Sequence, residues 1–591
     1  MPVLTPGAIF LLRASPLLSL PLLVGFGLRP LSVSLNGPTI PSWLPPLLSI
    51  LSLPLYIFVR VVLRDWRNRR AAQALDARLV PVKKGKSFGS VDLLTRLRYN
   101  RKHGYPADGL TEFVQEIGPV VNIKVLWMDT ILTVAPEHIK LILSTDFQNH
   151  VKGDRFKNGM RSVLGTGVFN SDGDQWKFHR QMTRPFFARD RISDFDILDR
   201  HADEVVSILK QRNKAGYAVD FQDLIGRFTM DSASEFLFNT CVNSLKASVP
   251  YPHNVAFPPP QTAAPEAQAA LKFVSAFTLA MNRIADREVL GRIWPLFEIF
   301  GDKTVEPMRD ISEYLDPIIL AAMEKKRVGV QKDSEKDGGS DGLSLLEELL
   351  ETTSDPKVLK DEILNMLLAG RDTTMHTLTV VLYFFTMYPD VCARVREEVL
   401  AHVGPTRRPT YDDIKDMKFL RAVLNETMRL YPSVPFNVRE NLKATVWPSL
   451  DPNEKPLYIP AGSKLPYSVF MMHRRKDLWG PDAEEFSPDR FLDERLQNYL
   501  LKNSFQFLPF NAGPRICLGQ QFAYNEMSFM IIRLLQSFSS FSLDEAAFAP
   551  GALPPAEWAA CAGRKGVERF RPKLHLTMST TDGLWIKTQD A

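Results

Sequence analysis

Cys517 is a cysteine whose surroundings in the sequence would stabilise a thiolate. It lies in the segment Phe-Asn-Ala-Gly-Pro-Arg-Ile-Cys-Leu-Gly at 510–519, directly before an apolar pattern of helical period at 520–535. The first N–H groups of a helix and the positive end of its dipole stabilise an anion at such a position. Gly513 and Gly519 would permit tight turns and close approach to a flat ligand. The segment indicates either a metal-binding thiolate or a buried structural cysteine, the usual fate of a free thiol.

A second segment combines an acid with two alcohols inside a predicted helix. Ser-Asp-Pro at 354–356 is a good helix start, with a capping residue followed by proline in the first turn. The helix should continue through 365–374, where Gly, Asp and two Thr are poor helix formers. Threonine hydroxyls there can bond to backbone carbonyls and bend the helix. The pattern places the carboxyl group of Asp372 beside the hydroxyl of Thr373, and a notch for helix packing is the alternative interpretation of these residues.

Arginine-containing motifs accompany these two segments. Glu426 and Arg429 have the spacing of neighbours on one helix face, which alone is ordinary at a protein surface. Trp176 and Arg180 are one helical turn apart, and Arg490 follows the segment Phe-Ser-Pro-Asp. Arginine is always charged and forms paired bonds to carboxylates, although most single arginines are simply surface residues. Only the register of all the segments together supports a site.

In that register the segments resemble the cytochrome P450 family. The pattern F-x-x-G-x-R-x-C-x-G at 510–519 matches the haem-binding signature of the family, and the pattern A-G-x-[DE]-T matches 369–373. The motifs follow the family order, and the resemblance covers nearly everything after residue 71. It implies a mainly α fold with a small β-rich region, the triangular helical haem domain of the family. The segments 368–374 and 472–480 look most like membrane-bound fungal members that oxidise alkanes and fatty acids.

The resemblance implies roles for individual residues. Cys517 would be the axial thiolate ligand of haem b iron, Thr373 would support bound dioxygen, and Asp372 would help deliver protons. The arginines among the cofactor contacts would reach the haem propionates. The positions implied as haem contacts are Trp176, Arg180, Ala369, Gly370, Arg439, Phe510, Gly513, Arg515, Cys517 and Gly519.

The resemblance also implies structural roles near the site. Glu426, Arg429 and Arg490 would form a buried network that holds the cysteine loop, residues 510–519, and takes no part in catalysis. Arg371 occupies the variable position of the helix motif, where arginine is unusual for a buried helix. We expect its side chain to point away from the haem into an ion pair.

The implied activity is that of a haem-thiolate monooxygenase acting on lipophilic substrates: alkanes, fatty acids, aromatic or xenobiotic compounds. The candidates for lining an apolar substrate pocket are Met366, Leu367, Ala369, Thr373, Val434 and Phe436. Electrons would come from NADPH through a separate NADPH–cytochrome P450 reductase, with cytochrome b5 as a further candidate partner, because the chain lacks a nicotinamide-binding glycine fingerprint. Two alternatives remain open. One is a rearrangement or peroxide-driven enzyme without a reductase, against which the acid–alcohol pair argues. The other is a membrane haem- or lipid-binding protein without turnover.

Two apolar stretches, 14–28 and 43–59, open the chain. Each is shorter than the roughly 20 residues of a full span, and prolines within them should kink a helix. Five arginines and one aspartate at 60–70 place the following chain in the cytosol by the positive-inside rule. We therefore expect a membrane anchor at 1–70, in contact with lipid of the endoplasmic reticulum, and a cytosolic haem domain at 71–591. A cleaved signal peptide, one anchor with an interfacial segment, and two short spans all remain open.

Composition limits the remaining function classes. Of the 591 residues, 45% are hydrophobic and 24% are charged, which indicates a globular chain. The net charge of +5 is small for this length and predicts no general nucleic-acid surface. Four cysteines exclude a disulfide framework and favour a reducing compartment. The pattern also predicts strands at 120–127 and 130–134, and surface insertions at 248–265, 328–342 and 545–566, the last before a final strand pair.

Overall fold

A computed structural model describes residues 4–34, 41, 43–187, 195–258, 264–328 and 344–591. All but the first residue of the predicted linker 328–342 lies outside the described residues. The same holds for 259–263 within the proline-rich insertion.

Most of the described chain is helical, as the sequence predicts. The α-helices are Pro6–Leu18, Leu20–Ser34, Leu44–Ala74, Val91–His103, Leu110–Ile117, Pro136–Lys140, Gly153–Leu164, Gly173–Thr183, Asp196–Lys214, Phe221–Phe238, Pro265–Leu290, Val305–Arg327, Leu345–Thr352, Pro356–Met387, Pro389–His402, Tyr411–Asp416, Lys418–Leu430, Val469–Met472, Lys476–Trp479, Gln520–Ser537 and Arg564–Val567.

Short strands form four small sheets in the described ranges. In spatial order, the largest sheet holds Val82–Lys83, Val120–Ile123, Ile131–Thr133, Lys464–Ser468, Phe436–Asn441 and His150–Val151. A second joins Arg78–Leu79, Leu457–Ile459 and Thr445–Trp447; a third joins Phe538–Leu543, Trp585–Asp590 and Val219–Asp220; a fourth pairs Pro572–Leu574 with Met578–Thr580.

The predicted hairpin at 120–134 is confirmed, but its strands are shorter than the sequence indicates. Val120 pairs with Thr133 in antiparallel register. Leu126 and Trp127 have left-handed backbone conformations, with φ of 48° and 58°, so the first strand cannot continue to residue 127. The predicted final strand pair is also present, as the sheet formed by residues 572–580.

The long helix, Pro356–Met387, is the central element of the fold. It begins as predicted, because Asp355 accepts a hydrogen bond from the Lys357 N–H at 2.8 Å and Pro356 occupies the first turn. Its side chains are buried on nearly every face, the pattern of a helix enclosed by other elements. It packs against Phe221–Phe238 and against the helix that follows the cysteine loop, Gln520–Ser537.

Two segments near the N-terminus are long and apolar enough to cross a membrane, Pro6–Leu28 and Leu44–Ala74. The first is divided at Ser19, between the helices Pro6–Leu18 and Leu20–Ser34. The prolines do not prevent helix formation, since the helices include Pro16 and Pro54. The second segment extends past the boundary predicted at residue 70.

The first of these helices contacts the body of the protein, which the sequence did not indicate. Thr5 caps the helix by accepting a hydrogen bond from Ala8, and its hydroxyl donates to the Ile299 carbonyl at 2.6 Å. Gly7 is buried at this contact. A Cβ at this position would lie 2.8 Å from the Pro295 carbonyl oxygen, so glycine allows the close approach. The apolar segment therefore begins at Pro6, not at residue 14.

Two predicted insertions are partly integrated into the fold. Pro265 is the first residue of the helix Pro265–Leu290 and does not belong to a loop. Most residues of 545–566 are exposed or partly exposed, as predicted for a surface segment, but Trp558 and Arg564 are buried. The Arg564 guanidinium donates a hydrogen bond to the Tyr388 hydroxyl at 2.8 Å, and this tertiary contact holds the segment against the body.

Candidate haem site

A cavity of about 1200 Å³ lies between the long helix and the cysteine loop. Cys517 lies on one wall, and Thr373 lies on the wall formed by the long helix. Asp372 and Gly513 do not contribute to the lining. The other predicted site residues that line this cavity are Trp176, Arg180, Ala369, Gly370, Arg439, Phe510, Arg515 and Gly519.

The cysteine loop is held in a tight conformation by its own backbone. The Cys517 N–H donates to the Phe510 carbonyl at 3.0 Å, which closes the loop. Gly513 has a φ of +69°, and a Cβ there would lie 1.9 Å from the Leu143 carbonyl oxygen. Only glycine satisfies both conditions, so this part of the predicted backbone requirement holds.

Gly519 has a different reason to be glycine. Its φ is −85°, which any residue adopts, so the prediction of a special backbone conformation is wrong at this position. A Cβ would instead lie 3.3 Å from the ring of Phe187, closer than ordinary contact. Gly519 is also the N-terminal cap of Gln520–Ser537, the predicted helix start beside the cysteine.

The surroundings of Cys517 have opposing effects on the pKa of its thiol. Burial raises the pKa of Cys517, while the Gly519 N–H and the Arg180 guanidinium lower it by stabilising the thiolate. Burial prevails in the protein alone, so the pKa lies above its ordinary value. A cation bound at sulfur would reverse this balance, because a metal ligand must be deprotonated and the bound charge stabilises the anion.

On the opposite wall, the predicted hydroxyl-to-backbone bonds are present. The Thr373 hydroxyl donates to the Ala369 carbonyl at 2.7 Å. The Thr373 carbonyl in turn accepts from the hydroxyls of Ser433 and Thr377, at 3.0 and 3.1 Å. The long helix nevertheless continues to Met387. Thr373 is therefore fixed at the cavity wall by the hydrogen bonds of its hydroxyl and of its carbonyl.

Asp372 is turned away from the cavity in this conformation. Its carboxylate accepts a hydrogen bond from Arg371 at 2.9 Å, and Arg371 also donates to the Thr278 hydroxyl and lies 5.8 Å from the Phe277 ring centroid. Arg371 thus points into an ion pair, in agreement with the prediction. Burial raises the pKa of Asp372, and the neighbouring guanidinium partly opposes that rise.

A cluster of cations with free donors lines the cavity near the cysteine loop. The Nε atoms of Arg439 and Arg515 are buried without a hydrogen-bond partner in the described structure. Asp172 pairs with Arg515 at 3.0 Å. Burial, followed by the charges of Arg439 and Arg515, lowers the pKa of Lys152 well below its ordinary value. The cluster therefore has more positive than negative charge, as expected of a site that receives the two carboxylates of haem.

Lys152 belongs to none of the motifs in the sequence. Its Nζ lies 4.4 Å from the ring centroid of Phe156, on the cavity wall. No local pattern distinguishes it from a surface lysine, and only the folded chain brings it beside Arg439 and Arg515. Together with the Cys517 thiol, the cation cluster fits a haem held between the cysteine loop and the long helix.

The predicted network of Glu426, Arg429 and Arg490 lies behind the cysteine loop, and all three side chains are buried. Arg429 binds Glu426 through two hydrogen bonds of 2.7 and 2.9 Å. Arg490 is 3.5 Å from Glu426 and makes a shorter ion pair, 2.9 Å, with Asp482. The structure therefore brings the predicted trio together and extends it by one acidic residue.

His473 connects this network to the cysteine loop, a link the motifs did not reveal. The Arg429 guanidinium donates to the His473 carbonyl at 2.7 Å, and the imidazole Nδ1 lies 3.1 Å from the Arg429 carbonyl. The imidazole Nε2 accepts from the Leu508 N–H at 3.0 Å, two residues before Phe510. Burial and then Arg429 lower the pKa of His473 to about 3, so the ring is neutral and can accept this bond.

Comparisons with known proteins agree with this geometry. The family model described as "Cytochrome P450" matches residues 93–548. The chain belongs to the cytochrome P450 family. It is 36% identical over 413 residues to cytochrome P450 52E1 of Candida apicola, covering 69% of this chain and 75% of the relative. It is 34% identical to cytochrome P450 52A5 of Candida maltosa over 72% of this chain and 78% of the relative.

A longer match of 31% identity joins it to the cytochrome P450 monooxygenase himC of Aspergillus japonicus, over 86% of this chain and 82% of the relative. The predicted family and fold class are therefore confirmed. As a cytochrome P450, the protein is an oxidoreductase of the monooxygenase class. The family implies a haem iron with a thiolate ligand, O2 as co-substrate, NADPH-derived electrons from a reductase, and a lipophilic substrate.

Proposed function

We propose that this protein is a membrane-anchored monooxygenase that hydroxylates a lipophilic substrate in the cavity between the long helix and the cysteine loop. The placement of Cys517 and Thr373 on the walls of one cavity carries the proposal. In it, Cys517 holds the haem iron, which supplies the oxidative chemistry when haem is bound. The cations Arg180, Arg439 and Arg515 hold the propionates, and the apolar remainder of the cavity holds the substrate.

Apolar side chains of the cavity would position the substrate. The residues expected from the sequence that line the cavity are Met366, Ala369, Thr373, Val434 and Phe436. Leu367, which the sequence also suggested, is fully buried in the core and does not line it. Burial of alkyl surface against these side chains would provide most of the binding free energy.

Thr373 and Asp372 would control protons at the cavity wall. The Thr373 hydroxyl is one of the polar groups that the long helix presents to the cavity, next to Ala369 and Gly370. Asp372 is bound to Arg371, so it delivers a proton only after this ion pair opens. The raised pKa of Asp372 supports the role, since the carboxyl group takes up a proton more readily than an exposed aspartate.

The variant Thr373→Ala tests this role. It should divert reducing equivalents to hydrogen peroxide and lower the fraction of NADPH converted to product by about tenfold or more. Thr379 is the matched control, because it lies on the same helix and its hydroxyl makes the same bond, to Met375 at 2.7 Å, but away from the cavity. Equal coupling in Thr373→Ala and Thr379→Ala would contradict the proposal.

We further propose that the substrates are fatty acids or alkanes, following the resemblance to fungal members with these substrates. The cavity offers a feature that favours an acid: Arg155 and Arg292 both line it. Burial and then the charge of Arg292 lower the pKa of Arg155, while Glu440 opposes this shift. Two guanidinium groups in proximity would bind a carboxylate and leave the alkyl chain to the apolar region.

Product analysis in membranes with NADPH and NADPH–cytochrome P450 reductase tests the function. Dodecanoic acid and dodecane form a matched pair that differs only at the carboxyl end. We expect hydroxylated products that require both NADPH and the reductase, with the acid preferred. Turnover with peroxide alone would favour an enzyme without a reductase. Spectral changes on ligand addition without any product would favour a binding protein.

We also propose attachment to the endoplasmic reticulum, with the haem domain 71–591 in the cytosol and 1–70 as the anchor in contact with lipid. The two apolar helical segments, Pro6–Leu28 and Leu44–Ala74, support attachment. The arginine-rich end of the second segment, at 60–70, supports this orientation. A cytosolic haem domain would meet the reductase at the membrane, and cytochrome b5 there could also donate electrons.

A further inference from the structure

Three side chains with metal-binding atoms converge at a place separate from the haem cavity. His201 lies on Asp196–Lys214, and Glu235 lies in the last turn of Phe221–Phe238. Cys241 follows where the chain leaves this helix through Asn239, whose φ is 53°. The imidazole Nε2 is 2.9 Å from Glu235 Oε2 and 4.0 Å from Cys241 Sγ. All three ligand atoms lie within 4.8 Å of one another.

The orientation of each side chain suits a metal ion. The Arg200 guanidinium donates a hydrogen bond to Glu235 Oε1 at 2.6 Å, so the other carboxylate oxygen faces His201. The Nδ1 of His201 is buried without a hydrogen-bond partner, and Glu204 Oε2 lies 3.9 Å away. Histidines that bind metals commonly direct this second nitrogen to a carboxylate. Glu204 therefore lies where it can accept a hydrogen bond from Nδ1 and orient the imidazole ring of His201.

Negative charge dominates the surroundings. Asp231, Glu204 and Glu235 face the thiol, and burial followed by these acids raises the pKa of Cys241 to about 12. The Arg200 guanidinium binds Glu235 and is a nearby positive charge. The acids that disfavour a thiolate in the protein alone would favour a divalent cation at the same place. Glu235 and Cys241 are partly exposed, which leaves a path from solvent.

We propose that His201, Glu235 and Cys241 bind one zinc ion, with water as the fourth ligand. The combination of imidazole nitrogen, thiolate and carboxylate is typical of zinc. Binding forms zinc bonds to sulfur, to the imidazole Nε2 and to a Glu235 oxygen in place of waters of the hydrated ion. The thiol proton passes to solvent, the imidazole proton moves to Nδ1, and no oxidation state changes. Tetrahedral coordination places ligand atoms about 3.3–3.7 Å apart, so the separations of the imidazole Nε2 from Glu235 and from Cys241, 2.9 and 4.0 Å, require shifts of about half an ångström. The ion would join the helices that carry His201 and Glu235.

Zinc titration of the haem-loaded, tag-free full chain tests the site. After treatment with a chelator, equilibrium dialysis and elemental analysis should find one zinc ion per chain. Cys241→Ser should weaken this binding by about a hundredfold or more, since even outer partners of a zinc site contribute tenfold to a hundredfold. Cys561→Ser is the matched control: Cys561 is also partly exposed, but its sulfur contacts only the Glu557 carbonyl in the described structure. It should bind zinc like the unaltered protein.

A chemical readout makes the test independent of activity. Zinc should protect Cys241 from alkylation, measured on its peptide by mass spectrometry, and should leave the alkylation of Cys561 unchanged. His201→Gln should abolish this protection in protein that retains its haem spectrum. The proposal is overturned if folded protein binds no stoichiometric zinc. It is equally overturned if Cys241→Ser binds zinc with unaltered affinity.

Discussion

Replacing Cys517 by alanine should abolish the red-shifted Soret band of the reduced protein with carbon monoxide, together with all NADPH-dependent product. The band arises from thiolate ligation of haem iron, and alanine has no atom that can take the place of sulfur. The structure adds a physical reason for choosing this sulfur. It lies on the cavity wall, with the Gly519 N–H and the Arg180 guanidinium placed to stabilise its anion.

Cys392 and Cys561 provide controls for this prediction. Cys392 is buried in the core, where burial raises its pKa to about 12, and neither residue lines the cavity. Serine at either position should leave the Soret band at its red-shifted wavelength. Cys517→His should move the band to the position of imidazole-ligated haem. An unchanged spectrum in Cys517→Ala would mean that another group holds the iron.

The parts of the site that the sequence predicts share one property: their function fixes residue types at short spacing. The thiolate needs a helix start directly after Cys517, and the paired bonds of Glu426 and Arg429 need an interval of three on one helix. Such local requirements can be recognised in the sequence as fixed residue types at fixed spacing. For the same reason the long helix is predictable, since its start depends on Asp355 and Pro356 alone.

The parts that the sequence does not predict depend on contacts between distant segments. Lys152 becomes unusual only beside Arg439 and Arg515, which are hundreds of residues away. His473 links Arg429 to Leu508 through backbone atoms, which leave no trace in residue types. A motif can indicate that a buried network exists, but the groups that connect it to the site appear only in the folded chain.

The N-terminal helix shows how a local rule can give a wrong boundary. Arg13 interrupts the apolar stretch, so a charge-free window begins at residue 14. In the structure Arg13 lies at the cavity wall, and the helix starts at Pro6, where Thr5 caps it. The charge does not end the helix because arginine is a good helix former, whereas a charge-free window ends at any charge. Hydropathy likewise does not show that Trp558, within the segment 545–566, is buried against Tyr105, which is distant in the sequence.

Glu426→Gln should destabilise the protein by about 3–5 kcal/mol, because it leaves Arg429 charged, buried and without its anion. Arg429 and Glu426 are inaccessible to solvent, so water cannot replace the lost partner. Denaturant unfolding, followed through haem release, measures the change. Since His473 connects Arg429 to Leu508, the variant should also lose haem faster at denaturant concentrations where the fold persists.

An exposed pair with the same chemistry separates burial from charge. Glu324 and Arg327 have the same spacing, and their ions are 2.8 Å apart, but their side chains are 56% and 78% exposed. Glu324→Gln should therefore change stability by less than about 1 kcal/mol. The double variant Glu426→Gln with Arg429→Met should recover part of the loss, because it removes the buried, unpaired guanidinium. If Glu426→Gln were as mild as Glu324→Gln, the buried pair would not be what holds the cysteine loop.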